Sequence, residues 1–145
     1  MWQATVASVS AWWYGSGRAR VLARRRGPAA ATGRWGERQA ARFLRAHGYR
    51  VLGQGVVIRD IEIDLVAEAP DADTVVIVEV KAGRTWQGHR PEDRVDREQR
   101  KRLRRAATWL RAKRDWLDRP MRFDVIAVEG RPGETPTIRH YPGAF

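Results

Sequence analysis

The sequence predicts an α/β domain: a mixed β-sheet flanked by helices, in the order α-β-β-β-α-β-β. Three observations carry this expectation. Two stretches repeat apolar residues at helical spacing, five short runs are rich in β-branched residues, and turns containing Gly, Pro or Asp separate them. With 145 residues and 43% hydrophobic content, the chain suits one domain with a packed core.

Residues 1–31 read differently from the rest. They open on MWQATVASVSAWWYG and continue as RARVLARRRGPAAA, and no acid appears before Glu37. A secretory signal would carry its bases ahead of its apolar part, and here the order is reversed. The segment reads as a basic, disordered N-terminal arm. A misassigned start or a surface-binding amphipathic piece are the other readings. The single folded domain is expected at 32–145.

The first helix is expected over 33–47 (GRWGERQAARFLRAH). Thr32 would cap it, Ala40, Phe43 and Leu44 give its stripe, and Gly48 ends it. Glu37 falls in its early turns. A short strand at 49–53 and a long one at 56–67 follow. The long strand alternates, so Asp60, Glu62 and Asp64 share one face. EAPDAD turns the chain into a strand at 74–82. These last two strands form a hairpin which, if symmetric about the 71/72 peptide bond, sets Asp64 opposite Glu79 and Glu62 opposite Lys81. A polar loop spans 83–94. The second helix, 95–117, is striped by Val95, Leu103, Ala106, Ala107, Leu110 and Leu117, with Gln99 on the same inward stripe. Strands at 122–128 and 136–141 complete the order.

Composition narrows the function. The net charge of +11 favours a polyanionic partner, nucleic acid first and an anionic membrane surface second. Of 28 bases only Lys81, Lys101 and Lys113 are lysines. Arg suits phosphate through its planar fork, although a GC-rich genome would also favour Arg codons. The absence of cysteine excludes disulfides, thiolate zinc sites and a cysteine nucleophile. No apolar run approaches the roughly 18 residues of a spanning helix, so stable membrane insertion is not expected. Residues 97–114 carry nine bases and one acid, Glu98, too lopsided for i,i+4 pairing to absorb. That face, with Arg100, Lys101 and Arg104, reads as a surface that tracks phosphates. In the loop, Arg84, Trp86, His89 and Arg90 could grip a strand, Trp86 by stacking on a base.

The hairpin carries the chemistry. Opposed residues have Cβ atoms about 5 Å apart, so Asp64 and Glu79 can share a hard cation such as Mg²⁺ or Mn²⁺. Without one they would repel. The Val80 carbonyl could add a ligand, and Lys81 supplies an ammonium to orient water or offset developing charge. The other reading is a solvated ladder in which Glu62 pairs with Lys81. The apolar flanks argue for a central hairpin, where buried acids need a compensating cation.

The motifs G-x-x-G-E (Gly33 to Glu37), A-x-x-F-L, HGYRVL, E-I-D-L-V-A (Glu62 to Ala67), V-E-V-K (Val78 to Lys81), R-F-D-V (Arg122 to Val125) and I-R-H-x-x-x-A-F occur in that order. Over residues 33–145 the chain resembles the YraN-like family of bacterial endonuclease-like proteins. That family is assigned to the PD-(D/E)xK, restriction-endonuclease-like superfamily and is likened to Holliday-junction resolvases. The resemblance implies a restriction-endonuclease-like sheet and a cytoplasmic, metal-dependent, structure-selective DNA endonuclease acting on branched or junction DNA. It also implies a two-fold homodimer. It marks Asp64 and Glu79 as metal-binding acids, Lys81 as the superfamily lysine and Glu37 as a helix-borne acid that can join them. Glu62 matches the family's E-I-D, and Asp124 matches R-F-D as a structural position. Gln99 stands where the family usually has Lys, and Gly55 where it usually has Asn. Two other functions compete: a non-catalytic DNA- or RNA-binding module on a nuclease fold, and a structural partner held at a membrane through the Trp-rich start.

Overall fold

The computed structural model describes residues 27–84, 93 and 95–145. The first helix, α1 (Pro28–Ala46), starts five residues ahead of the expected 33. Gly27, with φ 119°, turns the chain into it. Pro28 suits the first helical position because the N–H it lacks has no partner there. Thr32 is therefore inside the helix, not at its cap, and its Oγ1 donates to Pro28 O at 3.1 Å. The rest of the expected basic arm, residues 1–26, lies outside the described residues.

Five strands follow: β1 (Arg50–Ile58), β2 (Ile61–Glu68), β3 (Val75–Gly83), β4 (Met121–Glu129) and β5 (Thr137–Tyr141), with α2 (Arg97–Arg114) between β3 and β4. They form one sheet in the order β1-β2-β3-β4-β5. Only β3 and β4 run parallel, because only they are joined by a crossing helix. The architecture is the expected mixed, restriction-endonuclease-like α/β sheet. The strands alternate their apolar residues between two clusters. Val75 and Ile77 pack with Leu103, Ala107 and Leu110 of α2. Val76 and Val78 pack with Trp35, Ala40 and Leu44 of α1. One helix therefore covers each face. Gly36 brings α1 close to β3: a Cβ there would overlap the Cβ of Ala82.

Two boundaries depart from the sequence expectation. The strand expected at 56–67 is broken by a two-residue turn at Arg59–Asp60, with Ile58 paired to Ile61. Tight hairpins favour a left-handed residue, and Arg59 takes that role with φ 58° although no Gly or Asn signals it. Asp60 thus lies in the turn and does not share a strand face with Glu62 and Asp64. At the other end, α2 stops at Arg114 because Asp115 adopts a left-handed conformation, φ 57°. Leu117, expected on the apolar stripe, is consequently 62% exposed.

Asp124 ties the α1 side of the sheet together. It is fully buried. Its carboxylate accepts from Arg122 Nε at 2.8 Å and Nη2 at 2.9 Å, and from the Gly143 N–H at 3.0 Å, and it bonds His140 Nε2 at 2.7 Å. Arg122 Nη2 also reaches Tyr49 Oη at 3.0 Å. Burial alone would raise the Asp124 pKa, but the bonds from His140, Arg122 and Gly143 outweigh it and hold the carboxyl below its usual range. A depressed folded pKa adds stability above the unfolded value of about 4, and that stability is lost as pH falls through the folded value. Asp124→Ala is expected to cost about 2–4 kcal/mol at pH 7, because it takes the shared acceptor from the half-buried Arg122, from His140 and from the Gly143 N–H. Urea unfolding of Asp124→Asn should show a deficit at pH 7 that shrinks at pH 3; an equal deficit at both would contradict this role.

Candidate active site

β2 and β3 pair over only four positions, from Leu65↔Val78 to Glu68↔Val75. This is the register expected from symmetry about 71/72. One step further it would set Asp64 against Glu79, but there the ladder stops. β2 reaches back to Ile61 along β1, while β3 continues to Gly83 along β4. The two central strands therefore part as a fork at Asp64.

The fork has a local cause. Gln54↔Leu65 and Val56↔Ile63 set Gly55 opposite Asp64 on β1, and Gly55 has φ 57°, a conformation that costs a glycine least. The apolar side chains of β2 change partners at the same point. Ile61 and Ile63 join the cluster beneath α2, whereas Leu65 and Ala67 join the one beneath α1. A regular strand would keep these four on one face.

Asp64 occupies the gap. Its Oδ2 accepts the Val80 N–H at 2.7 Å, replacing the main-chain partner that β2 no longer offers. Glu79 and Lys81 alternate onto the α2 face of β3, where Gln99 meets both. Lys81 Nζ donates to Glu79 Oε1 at 2.8 Å, and Gln99 Nε2 donates to the same oxygen at 2.6 Å. Lys81 Nζ also lies 3.3 Å from Gln99 Oε1. Burial pushes the Asp64 carboxyl well above its usual range, and the Glu79 charge pushes it further. The Val80 N–H pulls it down, Glu37 raises it, and Lys81 lowers it. Glu37 thus reaches the fork electrostatically from α1, directly after the close contact at Gly36.

Residues 36–128 match the model of the uncharacterised protein family UPF0102. The chain belongs to this family. It is 40% identical over 114 residues to a UPF0102 protein of Syntrophotalea carbinolica, covering 78% of this chain and 89% of that one. A UPF0102 protein of Myxococcus xanthus is 40% identical over 113 residues, 78% and 87% of the two chains. One of Nocardia farcinica is 39% identical over 127 residues, 88% and 98%. Glu37, Asp64, Glu79, Lys81 and Gln99 all lie within the span that matches UPF0102.

Among the described residues of this UPF0102 protein, no three Asp, Glu or His side chains are grouped to hold a metal ion. The donor set to consider is smaller. Asp64 Oδ1 and Glu79 Oε2 accept no hydrogen bond from the described residues. The Val80 carbonyl points to the same strand edge as its N–H, which is the edge β2 has left. Two carboxylate oxygens and a carbonyl suit a hard divalent cation.

Other expected residues are distributed around the fork. Glu62 is exposed, and its Oε1 would lie 3.6 Å from a Cβ at Gly55. The Glu62–Lys81 pair of the solvated-ladder reading does not form, because Lys81 is engaged by Glu79 and Gln99 beyond the end of the ladder. Arg84 is exposed just beyond β3, while Arg100, Lys101 and Arg104 lie on α2. Trp86, His89 and Arg90 lie outside the described residues. Trp109 and Trp116 pack against the core. The main-chain role of Asp64 escaped sequence reasoning, since alternation alone does not show where a ladder ends.

A carboxyl with a raised folded pKa favours folding below its unfolded value, and that advantage is lost as pH rises through the folded value. Asp64→Asn keeps a carbonyl for the Val80 N–H and removes the repulsion. It is expected to be more stable than wild type by about 0.5–2 kcal/mol at pH 8, with the gain vanishing near pH 4. Thermal melts at the two pH values check this, and a destabilised variant at pH 8 would contradict it.

Proposed function

We propose that this UPF0102 protein is a metal-dependent, structure-selective DNA endonuclease that hydrolyses phosphodiester bonds with Mg²⁺ or Mn²⁺. The observation that carries the proposal is the fork, where Asp64 and Glu79 each keep an oxygen that no described residue engages, beside the Lys81 ammonium. Asp64, Glu79 and the Val80 carbonyl would hold the cation, which supplies charge compensation and an acidified water when bound. Glu37 is the acid able to join them from α1. Lys81 is kept in register by Glu79 and Gln99, so its ammonium is preorganised to orient a water or to offset charge on the phosphate. Arg84, Arg100, Lys101 and Arg104 suit contacts with backbone phosphates, together with Gln99 on the same helix. A branched or junction substrate and a homodimer follow from the family resemblance. A DNA substrate and a chain without cysteine fit a cytoplasmic protein.

Cleavage of a labelled four-way junction and of a duplex, with Mg²⁺ or Mn²⁺, tests the proposal. Wild type should cut one of them, and Lys81→Ala should lose about 10²–10³-fold in rate while still binding DNA. Tight binding with no cleavage in either metal would instead mark a non-catalytic nucleic-acid-binding module.

A further inference from the structure

The turn that joins β1 to β2 is strained. Arg59 holds a left-handed φ of 58° there, where glycine or asparagine would serve at less cost. A non-glycine residue held in this conformation points to a role for its side chain. The Arg59 guanidinium carbon lies 4.3 Å from the centre of the Trp109 ring on α2. Trp109 is half-buried and packs against the core, so its ring is a fixed support. Arg59 itself is exposed. The indole therefore orients one side of the guanidinium without cancelling its charge, and the other side stays open to solvent.

A groove of about 480 Å³ opens beside this stack. Val57 and Ile58 of β1 line it, with Arg59 from the turn and Trp109, Ala112 and Lys113 from α2. None of these is acidic, and Asp60, the other turn residue, does not line the groove. Among the described residues, neither Arg59 nor Lys113 pairs with a carboxylate. Lys113 stands one helical turn beyond Trp109. The groove thus combines an apolar floor, a planar cation and a point charge. That combination fits a single nucleotide. A base stacks on a guanidinium plane, and its phosphate takes an ammonium. Bases within a duplex keep both faces covered by their neighbours, so only an unpaired base has a face to offer. From Ile61, beside the turn, β2 runs about 10 Å to Asp64, which brings the groove within reach of a strand held at the fork.

We propose that this groove holds an unpaired nucleotide of DNA beside the fork, its base stacked on the open face of the Arg59 guanidinium and its phosphate at Lys113. The choice of DNA rests on the nuclease reading, whereas the groove does not require catalysis. Binding is therefore measured in EDTA, by fluorescence anisotropy of a labelled duplex with a single-stranded extension and of the same duplex with blunt ends. Wild type should prefer the extended duplex. Arg59→Gly removes the stack and suits the left-handed turn, so the chain should still fold. It should weaken binding to the extended duplex about 10-fold, the worth of one stacked base. On the blunt duplex the loss should stay below about 3-fold, as for one exposed, screened charge. Arg59→Lys keeps the charge without the plane and should also lose the preference. Lys113→Ala should flatten the log–log salt dependence on the extended duplex by about 0.7. Arg45→Ala removes one charge beneath the opposite face of the sheet and should leave the preference intact. Wild-type binding by Arg59→Lys, equal losses on the two duplexes, or no preference in wild type would each overturn the proposal. Cleavage with Mn²⁺ is scored apart. An Arg59-dependent preference without cleavage retires the nuclease reading and keeps the groove, and cleavage without that preference does the reverse.

Discussion

The hydrogen bond from the Val80 N–H to Asp64 Oδ2 governs the arrangement around it. In the middle of a sheet, a main-chain donor without a partner costs about 1–3 kcal/mol. When β2 turns away from β3, Val80 faces that cost, and Asp64 removes it by offering a carboxylate. The sheet can then stay open without an orphaned donor. The opening holds an acid from each strand, and among the described residues no strand pairs with that edge of β3 beyond Val78. Gly55 and its left-handed φ supply the bend on the other side of β2. Three features of the chain thus act together at one residue level.

The buried Asp124 and the half-buried Asp64 show how differently the fold treats a carboxylate. Asp124 is ringed by donors and cations, and its charge is welcome. Asp64 is desolvated and stands beside two acids with one main-chain donor, so its charge is resisted. The first arrangement stabilises the sheet. The second holds unfavourable energy in a solvent-reachable gap, which is the pattern of sites that bind or react. Gln99 mediates between the two sides of the gap. It donates to Glu79 through its amide N–H and accepts from Lys81 at its amide oxygen, so α2 controls the geometry of β3 beyond the ladder.

The sequence-level reading of the hairpin register was accurate because a short polar turn between two apolar strands leaves few alternatives. Alternation along β3 put Glu79 and Lys81 on one face, and helical phase put Gln99 inward. The turn at Arg59–Asp60 was hard to read, since Arg rarely adopts a left-handed conformation, no Gly or Asn flanks it, and Asp60 fitted the alternation of the neighbouring acids. The start of α1 was legible in the Gly27–Pro28 pair, but the run of alanines after it resembled the preceding arm. The fork itself could not be read. It depends on a strand bending at Gly55 and on a side chain replacing a main-chain partner, and neither leaves a periodic signal.

The central claim is that the fork makes Asp64 and Glu79 one cation site. Calorimetric titration of Mn²⁺ into the protein with a DNA duplex present, for wild type and Asp64→Asn, addresses it most directly. Wild type should bind one Mn²⁺ with release of a proton, since the Asp64 carboxyl must ionise to act as a ligand, and the variant should bind none. Indifference of both proteins to the metal, or equal binding by both, would contradict it.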